Sequence, residues 1–178
     1  MVAAALGASL VVMALRVTAS RHGHDPAVLP AIDEGRDLIA RLSAHADEDV
    51  AVFDRYMDAV RLPKATAEEV AARRAALQAA AAEATRVPLA AAGTAAEALA
   101  LAARAASLAS IGIASDVGAG AATLLGAVRA VLLAVDVNLR SIEDAATRAG
   151  FIAARDAILA EANRLGEATI SAVQARLA

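Results

Sequence analysis

The sequence predicts an all-α fold, a single-domain bundle of about six helices, and three observations predict it. Of 178 residues, 59% are hydrophobic yet only 2% are aromatic, so the apolar mass is alanine, leucine and valine. Alanine is the best helix former, and its small side chain lets helices approach closely. Alternating β-branched runs of the strand type are nearly absent, and short breaks rich in Gly, Pro or polar residues separate long helical patterns. A chain of this length is one domain, spanning residues 1–178, and is long enough to bury a core.

Residues 2–20 are apolar almost all round and predict a buried first helix. Gly23, the Asp25-Pro26 pair and Pro30 make 21–30 a connection. From about 31 to 61, Ile32, Leu38, Ile39, Leu42, Val50, Phe53, Met57 and Val60 recur at roughly helical spacing. The run LPKA then breaks the pattern, and Thr66 with Glu69 fits a capping box opening a helix to about Arg86. Pro88 either starts the next helix or kinks a continuous one, which runs to about Leu108. After the break SIGIASDVG, Ser115 or Asp116 can cap a helix that Gly150 ends near 148, and 151–177 forms a last amphipathic helix.

Composition excludes several function classes. The net charge is −3 with acids and arginines interspersed, and no basic block marks a nucleic-acid footprint. There is no cysteine, hence no disulfide and no thiolate metal site. His22, His24 and His45 lack the spacing of a metal site, so no metal is expected. Mean hydropathy is high, +0.54. Even so, residues 2–15 fall short of the roughly 20 a membrane span needs, and 117–135 carries Arg129 near its middle. A buried helix, not a span, is expected at both places. Apolarity on this scale implies that another subunit covers part of the surface.

Three stretches concentrate residues that could carry chemistry. In HADEDVAVFDRYMD, Asp47, Asp54 and Asp58 share one helix face; they read either as a solvated acidic face, with Asp58 free to pair with Arg61, or as placing Asp47 or Asp54 at a ligand cleft beside Phe53 and Tyr56. Lys64 is the sole lysine among 17 basic residues. Held between Pro63 and the cap at Thr66, it is either a loop lysine in water or a cation placed to meet an anion or give up a proton. Ser115-Asp116-Val117-Gly118 reads as a cap with a tight-packing glycine, or as a carboxylate at a helix head that needs a cationic partner, which the substrate can supply. Further on, Asp136 fits an ion pair with Arg140, and Asn138, one of two asparagines, interrupts an apolar run and needs a partner.

The block DVAVFDRYMDAVRLPKATAEEVAARRAALQAAAAEATRVPLAAA resembles the cyclodeaminase/cyclohydrolase family, whose pattern is an acidic residue, Ala-Phe, LPK, Thr-x-Glu-Glu, an Arg, Leu-Gln and then Pro-Leu. ASDVGAGAATLLGAVRAVLLAVDVNL is similar to its second signature, Ser-Asp-x-Gly followed by an Ala/Leu helix ending in Asn-Leu, and AALGASLVVMALRVTAS to its first helix. The resemblance implies an all-helical, cytoplasmic homodimer that acts on a one-carbon unit bridging two nitrogens of tetrahydrofolate. The activity implied is methenyltetrahydrofolate cyclohydrolase or formiminotetrahydrofolate cyclodeaminase, with water or the folate as nucleophile and no metal or organic cofactor. Asp49, Phe53, Lys64, Ser115, Asp116, Gly118 and Asn138 fall on family motif positions. Asp116 and Lys64 would be the acid/base groups, and the other five would hold substrate.

The sequence also departs from the pattern. The family's Pro-x-x-Gly-Gly-Gly-Ser turn ahead of the first helix does not occur; either the start is truncated or the turn is gone. Family asparagines are replaced at Ala109-Ser110 and Gly112, and an Asn-Val pair by Ala134-Val135. These losses support an alternative: a catalytically degenerate member that binds folate or serves as a helical interaction protein.

Overall fold

The computed structural model describes residues 1–22 and 26–178. Five helices follow in order: α1 (Val2–His22), α2 (Val28–Arg61), α3 (Ala67–Leu108), α4 (Ala114–Leu139) and α5 (Ala145–Leu177), with a single 3₁₀ turn at Ile111–Ile113 before α4. Among the described residues there is no strand. Gly23, His24 and Asp25 lie outside the described residues, as does the side chain of His22, so the His22/His24 pair and most of the expected 21–25 break are not placed. Pro30 belongs to the first turn of α2, where its missing N–H breaks no helical bond.

Among the described residues the helix count is five, not six, because Pro88 lies within a continuous 42-residue α3. At the other end the boundary moves. Helix α4 stops at Leu139, and α5 starts at Ala145, where Asp144 accepts a bond from the Thr147 amide at 2.7 Å. Gly150 is therefore inside α5, not a terminator. The Thr66 cap is as expected: its hydroxyl accepts from the Glu69 amide at 3.2 Å, and Glu69 accepts from the Thr66 amide at 3.0 Å. Ser115 and Asp116 do not cap α4. The chain enters α4 from the 3₁₀ turn, and both residues lie in the first helical turn.

Helix α4 is central, packing against α1, α3 and α5. Val117, Leu124, Val128 and Val135 of α4 are fully buried, against Val11 and Leu15 of α1 and Leu99 and Leu101 of α3. Close approach needs small residues. A Cβ on Gly120 would stand 2.7 Å from the Gly7 carbonyl oxygen, so only glycine lets α1 and α4 cross this tightly. By length and composition alone, α1, α3 and α4 could each cross a membrane, and 44%, 56% and 44% of their most apolar windows are buried against the rest of the chain. The helical run from Val2 to Arg21 is 20 residues, longer than the apolar stretch 2–15 read from sequence.

Candidate functional site

A cavity of about 400 Å³ opens where α2, α3 and the C-terminal end of α4 meet. Helix α2 supplies Asp49, Val52, Phe53 and Tyr56, spaced so that they share one face. Helix α3 contributes Ala81 and Ala84, whose small side chains leave the space, and α4 contributes Ala134, Val137 and Asn138. Val52 is buried, while Phe53 is 63% exposed at the rim.

Asn138 has the partner its position demands. Pro88 has no N–H, so the Ala84 carbonyl four residues earlier has no intrahelical donor. The Asn138 Nδ2 donates to that oxygen at 2.6 Å. One amide thus repairs α3 and leaves its carbonyl oxygen for the cavity.

Lys64 lines a neighbouring cavity of about 310 Å³ with Val70, Arg73, Arg74, Gln78 and Glu143. Gln78 stands between the two hollows, donating to the Ser141 carbonyl at 3.0 Å and accepting from the Glu143 amide at 2.9 Å. Arg73 and Arg74 are engaged, by the Val60 carbonyl and by Glu143. The bond to Glu143 raises the Arg74 pKa. The Lys64 side chain, by contrast, has no hydrogen bond or ion pair to any described residue, and neither do the side chains of Asp49 and Asp116.

The structure thus brings Asp49, Phe53 and Asn138 into one cavity, with Lys64 beside it. It sets Ser115, Asp116 and Gly118 apart. Asp116 precedes Asn138 by 22 residues of the same helix, about 33 Å at 1.5 Å per residue. Ser115 is exposed, Asp116 half-buried, and Gly118 serves packing, since a Cβ there would lie 3.1 Å from Val173 Cγ1. Asp47 and Asp54 are exposed and line no part of the cavity, so the α2 carboxylate that faces it is Asp49. Asp58 pairs with Arg61 at 3.2 Å, while Asp136 pairs with Arg155 of α5 at 3.0 Å and not with Arg140. Sequence reading missed Gln78 and Ser141 as site-shaping groups. Their bonds join parts of the chain more than 60 residues apart, and no local pattern carries that.

Among the described residues no three of His, Asp or Glu gather as metal ligands would. His45 instead shares a hydrogen bond of 3.2 Å with the Thr94 hydroxyl, beside the Arg41–Glu97 ion pair at 2.7 Å.

A family model described as formiminotransferase-cyclodeaminase matches residues 1–156. The chain is 30% identical over 99% of its length to a methenyltetrahydrofolate cyclohydrolase from Methylorubrum extorquens, covering 86% of that protein. It is also 30% identical over 98% of its length to a formimidoyltransferase-cyclodeaminase from Sus scrofa, of which it spans only 33%. The solved structure of a formiminotetrahydrofolate cyclodeaminase from Thermotoga maritima superposes with a TM-score of 0.85 over 98% of this chain and 84% of that one; at 19% identity this speaks for the fold. Matched along most of its length by the model and nearly end to end by relatives, the chain belongs to the formiminotransferase-cyclodeaminase family.

Proposed function

We propose that this chain hydrolyses the one-carbon bridge of methenyltetrahydrofolate. The observation that carries the reading is the near end-to-end relation to a methenyltetrahydrofolate cyclohydrolase. Cyclodeamination of formiminotetrahydrofolate is the second reading, favoured by the matches to formimidoyltransferase-cyclodeaminases from Sus scrofa and Gallus gallus. There a folate nitrogen, not water, attacks the one-carbon unit, and ammonia leaves.

The methenyl bridge is a cationic amidinium. Water adds to its carbon and gives a proton to a base. One carbon–nitrogen bond then opens, leaving a formyl group on one nitrogen and N–H on the other, with net release of one proton. Water is the nucleophile, so the step calls for no metal or organic cofactor. The cavity suits such a substrate. Asp49 is a carboxylate without a side-chain partner for the cation, and Val52, Ala84 and Val137 give the cavity apolar walls. Phe53 and Tyr56 offer ring faces to a flat pterin. Ala134 stands where the family has asparagine, so that wall is apolar here and Asn138 is the amide that remains. Lys64, unpaired next door, binds a folate carboxylate or protonates the departing nitrogen. Asp116, the base read from the sequence, is too distant in the same protomer, so the active species is a homodimer in which a second copy supplies it.

Absorbance decay of methenyltetrahydrofolate with purified protein, compared with buffer, tests this. Acceleration is expected, and Asp116→Asn and Lys64→Ala should each lower the rate by about 10²–10⁴ if they are acid/base groups. A Lys64→Ala effect confined to KM assigns it to anchoring. No acceleration and no folate binding by calorimetry would overturn the enzyme reading, and binding without turnover would identify a degenerate member.

A further inference from the structure

Pro88 is buried within α3, where a proline is unfavourable because it removes a helical hydrogen bond. The bond removed is the one the Ala84 carbonyl would accept, and Ala84 belongs to the wall of the cavity. The gap thus opens on the cavity side of the helix, and the Asn138 Nδ2 fills it at 2.6 Å.

This contact settles which way the amide points. A carbonyl oxygen only accepts, so the half of the Asn138 amide that faces Ala84 is its NH2. The other half, Oδ1, has no donor among the described residues, and Asn138 lines the cavity. Asn163, the chain's other asparagine, is the reverse case: its oxygen is taken by the Arg129 guanidinium, at 3.0 and 2.7 Å. The oxygen of Asn138 is fixed in direction yet left for a ligand.

The chemistry of the substrate says what that oxygen meets. In methenyltetrahydrofolate both nitrogens of the one-carbon bridge are fully substituted, so the reacting end carries no N–H. The donors are on the fused ring: an amide N–H, the 2-amino group beside it and one further ring N–H. The 2-amino group has two hydrogens and stands at the outer end of the ring, away from the bridge. A fixed acceptor in this cavity therefore reads the ring and not the reacting carbon. Asp49 and Asn138 come from different helices, α2 and α4, and the small Ala81 and Ala84 of α3 leave the space between them for a flat ligand.

We propose that Pro88 is a positioning residue for ring recognition: by denying the Ala84 carbonyl its backbone donor, it fixes the Asn138 amide with Oδ1 in the cavity, and that oxygen accepts from the 2-amino group of the substrate. The choice of ligand rests on the folate reading. The arrangement selects against a ring with oxygen at that position. Two acceptors would then face each other, and the amide cannot turn without stranding the Ala84 carbonyl.

Two ligands without a one-carbon bridge make the test: folic acid, and its analogue in which an oxo group replaces the 2-amino group. Both keep the glutamate tail, and calorimetry on the intact protein gives both Kd values. The wild type should bind folic acid at least about tenfold more tightly than the analogue. In Pro88→Ala the restored backbone N–H serves Ala84 and the amide is free to turn. The analogue should then gain affinity, shrinking the preference to about threefold or less with folic acid binding little changed. A proline that served helix packing alone would move both affinities together. Asn138→Leu removes the oxygen itself and should bring the two ligands within about twofold by weakening folic acid, which decides the matter should Pro88→Ala not fold. Equal wild-type affinities would overturn the inference, as would a preference that survives intact in either variant. Turnover of methenyltetrahydrofolate is measured on the same preparation. Turnover without the preference, or without binding of either ligand, overturns the inference and leaves the folate reading standing; absence of both turnover and binding removes the two together.

Discussion

Asn138 answers a fault that Pro88 creates 50 positions away. The proline deprives the Ala84 carbonyl of its helical donor, and the Asn138 amide supplies one at 2.6 Å. Replacing Asn138 by leucine strands that carbonyl and should cost about 1–3 kcal/mol in urea unfolding. In a Pro88→Ala background the restored backbone N–H takes over, so the same change should cost less by at least about 0.5 kcal/mol; strictly additive losses would show that the two residues are independent. The sequence shows both halves of this pair, a proline within a helical run and a lone amide in an apolar one. It cannot join them, because 54 residues separate donor from acceptor. Asp49 shows the reverse case. Which of the α2 carboxylates faces the cavity depends on where α3 and α4 lie, and helical spacing alone equally allows Asp47 or Asp54.

Among the elements, helix starts were legible wherever a side chain writes them locally. Thr66 with Glu69 announces α3. Asp144 with Thr147 announces α5 in the same manner, yet the glycine at 150 draws the eye as a terminator. The Asp144 carboxyl accepts from Thr147, and that bond holds its pKa below the usual carboxylate value. A group depressed in the folded state contributes stability at neutral pH and loses it as pH falls through the folded value. Salt-bridged Glu83 and Glu161 are lowered in the same sense by Arg86 and Arg164. Below about pH 4 the first turn of α5 should therefore loosen first. Hydrogen exchange at the Thr147 and Arg148 amides would then rise ahead of exchange in the Leu99–Leu101 segment, and simultaneous loss of protection would refute the assignment. The interior of α3 was less legible, since alanine-rich sequence supports one long helix or two equally well; what decides is burial of Val87 and Pro88 against neighbours.

At the scale of the molecule, the all-helical architecture follows from composition and periodicity, but the gathering of the site does not. The residues singled out fall at both ends of α4, and one protomer does not unite them. If the proposed homodimer supplies Asp116 across the exposed face of α4, Leu133→Glu on that face should give a monomer by light scattering with unchanged helical circular dichroism and turnover lowered at least about tenfold. A dimer of wild-type activity would contradict this. Near the same end of α4 as Asp116, Arg176 donates to the main-chain oxygens of Ala106 and Ala109, and Val173 fills the space left by Gly118. The last two turns of α5 therefore act as a clasp on the bend that leads into Ser115. Carboxy-terminal clipping within that clasp would let the bend drift while the bundle stayed folded, and in the proposed homodimer the damage would surface in the neighbouring copy.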